Sequence, residues 1–140
     1  MRDTRVRDSI SHAVVRVFRR GNRAHNKALK PLGISSLQAH ILTVLWEQAP
    51  LSVGELQRRL SMGSSTLTGA LDRMVKQELV VREPSETDRR SFQVRPAKWP
   101  ARRRNKVLGT LAETEDEIYG DLSAAERDTL LSLLHRLLEP

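Results

Sequence analysis

The sequence predicts a mainly α-helical chain carrying one small β-hairpin, on three observations. Apolar residues recur at three- and four-residue intervals along most of its length. Serines precede Glu or Gln by three residues at three candidate helix starts, and one pair of β-rich runs brackets a polar stretch containing proline. In chain order, Ile10, Val14, Val17 and Phe18 share a helical face in the first segment and read as a core stripe. Ile34-Ser35-Ser36-Leu37-Gln38 forms a capped start for a second helix bearing Leu37, Ile41, Leu42, Val44 and Leu45. Ser52, three residues before Glu55, opens a short third helix, with Leu51 placed to staple onto Leu56. Ser61-Met62-Gly63 breaks that helix, and Ser64 or a neighbour caps a fourth whose apolar side is Leu67, Ala70, Leu71, Met74 and Val75. The strand-like runs Leu79-Val80-Val81-Arg82 and Phe92-Gln93-Val94-Arg95 follow. Pro96 and Pro100 then remove amide donors, so the second run should stop near Arg95 and a helix should start near Pro100 or Ala101. Val107, Leu108, Leu111 and Ile118 make an interrupted stripe, and Ser123-Ala124-Ala125-Glu126 caps a last helix rich in leucine.

Residues 52–94 hold the functional signal. A short helix, a tight break, a polar-faced helix and a basic hairpin succeed one another without a spacer, which is the order of a DNA-reading module. The polar face of the fourth helix carries Ser65, Thr66, Thr68, Gly69, Asp72, Arg73 and Lys76, with Ser64 at its start. Small hydroxyl residues there allow close approach to a groove floor, and the positive helix end and nearby cations favour phosphates. The hairpin loop ends in Arg89 and Arg90, whose guanidinium groups suit a narrow minor groove.

Ser64-Ser65-Thr66-Leu67-Thr68-Gly69-Ala70-Leu71-Asp72-Arg73-Met74, then Leu79-Val80-Val81-Arg82, then Asp88-Arg89-Arg90, resemble the MarR family of bacterial winged helix-turn-helix transcription regulators over nearly the whole chain. The resemblance implies a single MarR-type domain over 1–140, with a winged helix-turn-helix core at 33–97 and helical dimerisation segments at 1–32 and 98–140. It further implies a homodimer on a pseudo-palindromic duplex operator, acting as a repressor released by a small aromatic or lipophilic effector. Ser64, Ser65, Thr66, Thr68, Gly69, Arg73, Lys76, Arg89 and Arg90 are the expected DNA contacts. The chain departs from the family at three points. Glu78 stands where many members carry Gly, so a left-handed helix end there would cost about 1 kcal/mol. Arg95-Pro96-Ala97-Lys98-Trp99-Pro100 replaces the usual wing exit, and Gly69 stands where many relatives place a base-reading Arg.

Composition narrows the function class. The 140 residues fit one domain, and a hydrophobic fraction of 39% supports a core. Without cysteine there is neither a disulfide framework nor a thiol switch, and no apolar run approaches about 18 residues, so a cytoplasmic, non-membrane protein is expected. The net charge of +7 is unevenly spread: residues 1–30 hold nine basic residues, 82–106 are again basic, and Glu113, Glu115, Asp116, Glu117 and Asp121 make the following segment acidic. That polarity suits one phosphate-facing side.

His12, His25, His40 and His135 are scattered, no nucleophile, base and orienting acid converge, and the serines have capping or recognition-helix explanations, so no catalysis, cofactor or metal is expected. A metal-responsive regulator of the same fold, using His40, is one alternative. The other is a non-specific architectural nucleic-acid binder, for which the stacking aromatics of single-strand recognition are scarce. Leu130, Leu131, Leu133, Leu134, Leu137 and Leu138 exceed what one narrow core contact needs and favour a dimer interface over an intrachain bundle.

Overall fold

The computed structural model describes residues 9–88 and 90–139. Helix α1 spans Ile10–Leu29 and runs into a 3-10 turn at Lys30–Leu32, ended by Gly33 in the left-handed region at φ 74°. Helices α2 (Ser36–Gln48), α3 (Val53–Leu60) and α4 (Ser64–Lys76) follow, with strand β1 (Leu51–Ser52) between α2 and α3. Strands β2 (Val80–Pro84) and β3 (Phe92–Pro96) precede the longer helices α5 (Ala101–Tyr119) and α6 (Ala124–Leu138). The expected hairpin is thus part of a three-stranded antiparallel sheet ordered β1-β3-β2, with Leu51 opposite Val94 and Arg82 opposite Val94 on the other side. Sequence alone gives little sign of β1, because two residues carry no alternation and the pairing is made with a strand forty residues on.

Local chemistry sets the helix boundaries. Ser35, Ser52 and Ser123 each accept from the amide three residues on, while Gln38, Glu55 and Glu126 reach back to the cap amide, so all three capping boxes close. The break after α3 falls at Ser61-Met62-Gly63, with a neighbour of Ser64 as the cap of α4. Ser61 takes the left-handed conformation at φ 50°, and Gly63 is the extended N-cap of α4 without a side-chain bond. Glu78 does adopt the left-handed helix end, at φ 59°, where the Glu78 amide donates to Val75 O and the Leu79 amide to Met74 O.

The chain divides into two compact units, one of residues 29–108 and one of the segments up to Ala28 and from Gly109 on. In the first, Ile34, Ile41, Leu42, Leu45, Leu51, Leu56, Leu67, Leu71, Met74 and Val94 form a buried core under the sheet and helices. Val75 does not join it: at 39% exposure it lies on the rim of α4, because its position is displaced from the Leu67, Leu71 and Met74 stripe.

The second unit corrects the reading of the α1 stripe as core, and the α6 leucines too are left uncovered within it. Ile10 is 77% exposed, Phe18 68%, Leu137 77% and Leu138 72%, with Val14, Val17, Leu130, Leu131, Leu133 and Leu134 also exposed. What this unit buries is limited to contacts such as Gly21, where a Cβ would stand 3.5 Å from Ile118 Cδ1, and Thr114, whose hydroxyl donates to Thr110 O. Arg127 of α6 donates to Tyr119 O and pairs with Asp116 at 2.7 Å, closing the end of α5. Among the described residues, no helix is long and apolar enough to cross a membrane.

Candidate nucleic-acid interface

The elements of residues 29–108 present α4 by its polar face. Leu67, Ala70, Leu71 and Met74 anchor it inward, which leaves Ser64, Ser65, Thr66, Thr68, Arg73 and Lys76 exposed and Gly69 half-buried. The N-terminal turn of α4 has no side-chain cap, so its first amides remain available to an anionic partner.

Two polar clamps hold this helix, and neither was legible in the sequence. Arg82 of β2 pairs with Asp72 of α4 at 3.1 Å, tying the recognition face to the sheet. Arg82 Nε is buried without a hydrogen-bond partner among the described residues, so its other guanidinium edge holds the pair while Nε stays uncompensated. At the far end, Gln38 Nε2 donates to Gln77 Oε1 at 2.7 Å, and Gln38 Oε1 accepts the Ser35 amide, so one buried side chain joins the start of α2 to the C-cap of α4. Only the capping half of that role could be read from the Ser35 to Gln38 spacing, because the contact with Gln77 crosses thirty-nine positions.

The loop between β2 and β3 is folded by its own side chains. Asp88 Oδ1 accepts the Arg90 amide at 3.0 Å, Ser91 N donates to Asp88 O, and the buried Ser85 hydroxyl accepts the Thr87 amide. These bonds turn the chain so that the Arg90 side chain is exposed. Arg89 lies outside the described residues. Thr68, Arg82, Arg90 and Phe92 meet Ser52 and Gly54 around a cleft of about 490 Å³, so the structure brings the α4 face, the α3 start and the hairpin together. Lys76 sits at the last residue of α4, away from this cleft.

The hairpin base has its own construction. The Leu79 carbonyl accepts both the Ala97 amide and Trp99 Nε1 at 3.0 Å, Trp99 meets Trp46 edge to face at 5.4 Å, and the Arg103 guanidinium lies 4.1 Å over the Trp99 ring. Trp99, half-buried in the segment that replaces the usual wing exit, thus packs on the half-buried Trp46 of α2. Among the described residues no three His, Cys, Asp or Glu side chains gather to hold a metal ion.

A helix-turn-helix whose second helix offers a polar face, followed by a sheet with a basic loop, defines the winged helix-turn-helix class. Residues 34–92 match the MarR family. It is 29% identical over 86 residues to the HTH-type transcriptional regulator MgrA of Staphylococcus aureus, a match that spans 61% of this chain and only 58% of that relative. It is 24% identical over 132 residues to the regulator YcgE of Bacillus subtilis, covering 91% of this chain and 86% of YcgE. Among solved structures, a mutant MarR from E. coli complexed with operator DNA superposes with a TM-score of 0.83 at 28% identity, covering 92% of this chain and 93% of that one. CouR from Rhodococcus jostii, bound to p-coumaroyl-CoA, has a TM-score of 0.84 over 99% of this chain and 97% of its own, at 19% identity, and shares the fold.

Proposed function

We propose that this chain is a sequence-specific, double-stranded DNA-binding transcription regulator that works as a homodimer and represses until a small ligand releases it. The observation that carries DNA binding is the exposed polar face of α4 beside a folded loop that holds Arg90 outward, in a fold shared with a MarR protein bound to operator DNA. Ser64, Ser65, Thr66, Thr68 and Gly69, early in α4, are assigned to the groove, with Arg73 on the same exposed side. Lys76, Arg89 and Arg90 are assigned to phosphates and the minor groove.

Dimerisation is supported by the apolar side chains that α1 and α6 leave exposed in one copy. A two-fold dimer would set two α4 helices into successive major grooves of a pseudo-palindrome. Repression and release by a small aromatic or lipophilic effector rest on the resemblance to the MarR family. The architectural reading has less support, since Trp46 and Trp99 are engaged with each other and with arginines rather than presented to bases. The test is selection of duplexes from fragmented genomic DNA on the purified protein, followed by competition against random duplex. Enrichment of a pseudo-palindrome supports the regulator, whereas equal retention of all fragments, of duplex RNA or of single strands points to the architectural binder.

A further inference from the structure

Glycine in the middle of a helix shifts the folded-to-unfolded ratio against the fold by roughly fivefold relative to alanine, so an interior glycine calls for a physical reason. Gly69 has none within this chain. It is the sixth residue of the thirteen in α4, its backbone is helical, and a Cβ built on it would meet only Arg73 Nη1 at 3.8 Å, an ordinary van der Waals separation. Neither packing nor backbone geometry demands the missing side chain. Such a violation of local preference, on the exposed side of α4, marks a place where something outside the chain approaches the backbone.

The neighbouring charge indicates what approaches. Side chains on a helix lean toward its N-terminus, which carries Arg73 back over the turn that contains Gly69. Asp72, the nearest acid in sequence, is engaged by Arg82 at 3.1 Å, and Arg73 enters none of the ion pairs formed among the described residues. A notch of bare backbone is therefore bordered by a guanidinium whose fork of donors matches two adjacent acceptors. In a major groove, the base edge with two adjacent acceptors is guanine, through O6 and N7.

We propose that Gly69 is a specificity-determining residue of the reader: its missing Cβ seats the major-groove edge of a guanine against the α4 backbone, under the Arg73 guanidinium. The assignment rests on the DNA-binding function proposed above. It makes two predictions of opposite sign for one substitution, because Gly69→Ala removes a helix defect while filling the notch.

The experiment is selection from a randomised duplex library by the full-length protein and by Gly69→Ala and Arg73→Lys, with thermal unfolding and binding to unselected duplex measured alongside. The wild type is expected to enrich one G·C pair in each half-site. Gly69→Ala should raise the unfolding midpoint and lose discrimination at that pair, read as the ratio of selected to unselected binding, by about 5- to 100-fold. Arg73→Lys keeps the charge, loses the fork and should lose discrimination at the same pair. The proposal is overturned if Gly69→Ala enriches the same sequences with unchanged discrimination, or if the two variants relax different base pairs. A wild-type protein that enriches no sequence at all removes the DNA-reading function itself, a separate and recognisable failure.

Discussion

The two compact units dispose of their apolar side chains in opposite ways. In residues 29–108 the leucines and isoleucines of α2, α3 and α4 other than Leu37 are almost wholly buried, with Ile41, Leu42, Leu56, Leu67 and Leu71 at 0% exposure. In the α1 and α6 helices, residues of the same types stand in the open. Composition does not separate the two, and neither does helix capping. What separates them is closure: the first unit supplies sheet and helices to cover its own apolar faces, whereas α1 and α6 offer stripes that nothing in their unit covers. A face of that kind is stable in water only when another surface meets it. The reader thus carries its stability within one chain, and the proposed dimer draws its stability from two.

The largest effect that could break this comparison comes from Leu134→Asp. Leu130, Leu134 and Leu137 fall at i, i+4 and i+7 on α6, and Leu134 is 37% exposed in one copy. A carboxylate in the apolar contact of a dimer costs several kcal/mol, so the variant should sediment as a monomer and lose operator binding while its reader stays folded. Circular dichroism alongside ultracentrifugation separates this from unfolding. A folded variant that remains dimeric means that α6 packs some other way.

Next in size is Leu71→Ala, inside the reader. Its side chain is fully buried, so truncation should destabilise by about 2–5 kcal/mol from lost burial and the cavity left behind. Urea unfolding should show that loss at every protein concentration, with the midpoint of the dimeric Leu71→Ala protein still rising with concentration, whereas the monomeric Leu134→Asp variant should unfold independently of it. If Leu71→Ala costs less than about 1 kcal/mol, the reader's core does not close as described.

Much of this division was legible in the residues, and the parts that were not share a physical cause. The three capping boxes, the order of helices, the hairpin and the polar face of α4 follow from spacings of three to eight residues, which short-range chemistry sets. The apolar stripe of α1 was legible as a stripe, but whether it meets its own chain or another is not written in its period. Likewise β1, the Asp72 to Arg82 pair, the Gln38 to Gln77 bond and the Trp46 to Trp99 contact all join positions ten to fifty-three residues apart. The α4 helix carried one misreading of its own. The sequence pattern puts Val75 on the apolar side with Leu67, Ala70, Leu71 and Met74, but the helical angle places it on the rim.

Within the reader, a smaller effect should separate positioning from specificity. Thr66→Ala should reduce the preference for a selected operator over random duplex by about 1–3 kcal/mol if it removes a good base contact. Arg90→Ala should instead weaken all duplexes and flatten the slope of log K against log salt by about 0.9, the share of one neutralised phosphate. Competition assays across salt concentrations distinguish these outcomes. A Thr66 variant that weakens random and selected duplexes equally, or an Arg90 variant with an unchanged slope, reverses the roles assigned to helix and hairpin.

The smallest expected effects concern the local chemistry that the two units share. The Ser52 to Glu55 box has bonds of 2.8 and 3.1 Å and the Ser123 to Glu126 box has bonds of 2.8 and 3.2 Å. If packing alone distinguishes the units, then Ser52→Ala and Ser123→Ala should each cost about 1 kcal/mol, in either the reader or α6. At the reader's box, pH supplies a further check. The Ser52 amide and hydroxyl, opposed by burial and helped by Arg58 and Arg59, hold the Glu55 carboxyl below its ordinary value. A carboxyl depressed in the folded state stabilises it fully above the unfolded value, and that contribution is lost as pH falls through the folded one. The gap in thermal midpoint between the wild type and Glu55→Ala should therefore be widest near neutrality and narrow on acidification past about pH 4. A gap that stays constant from neutral pH into that range would show that Glu55 acts at the start of α3 by some means other than its charge.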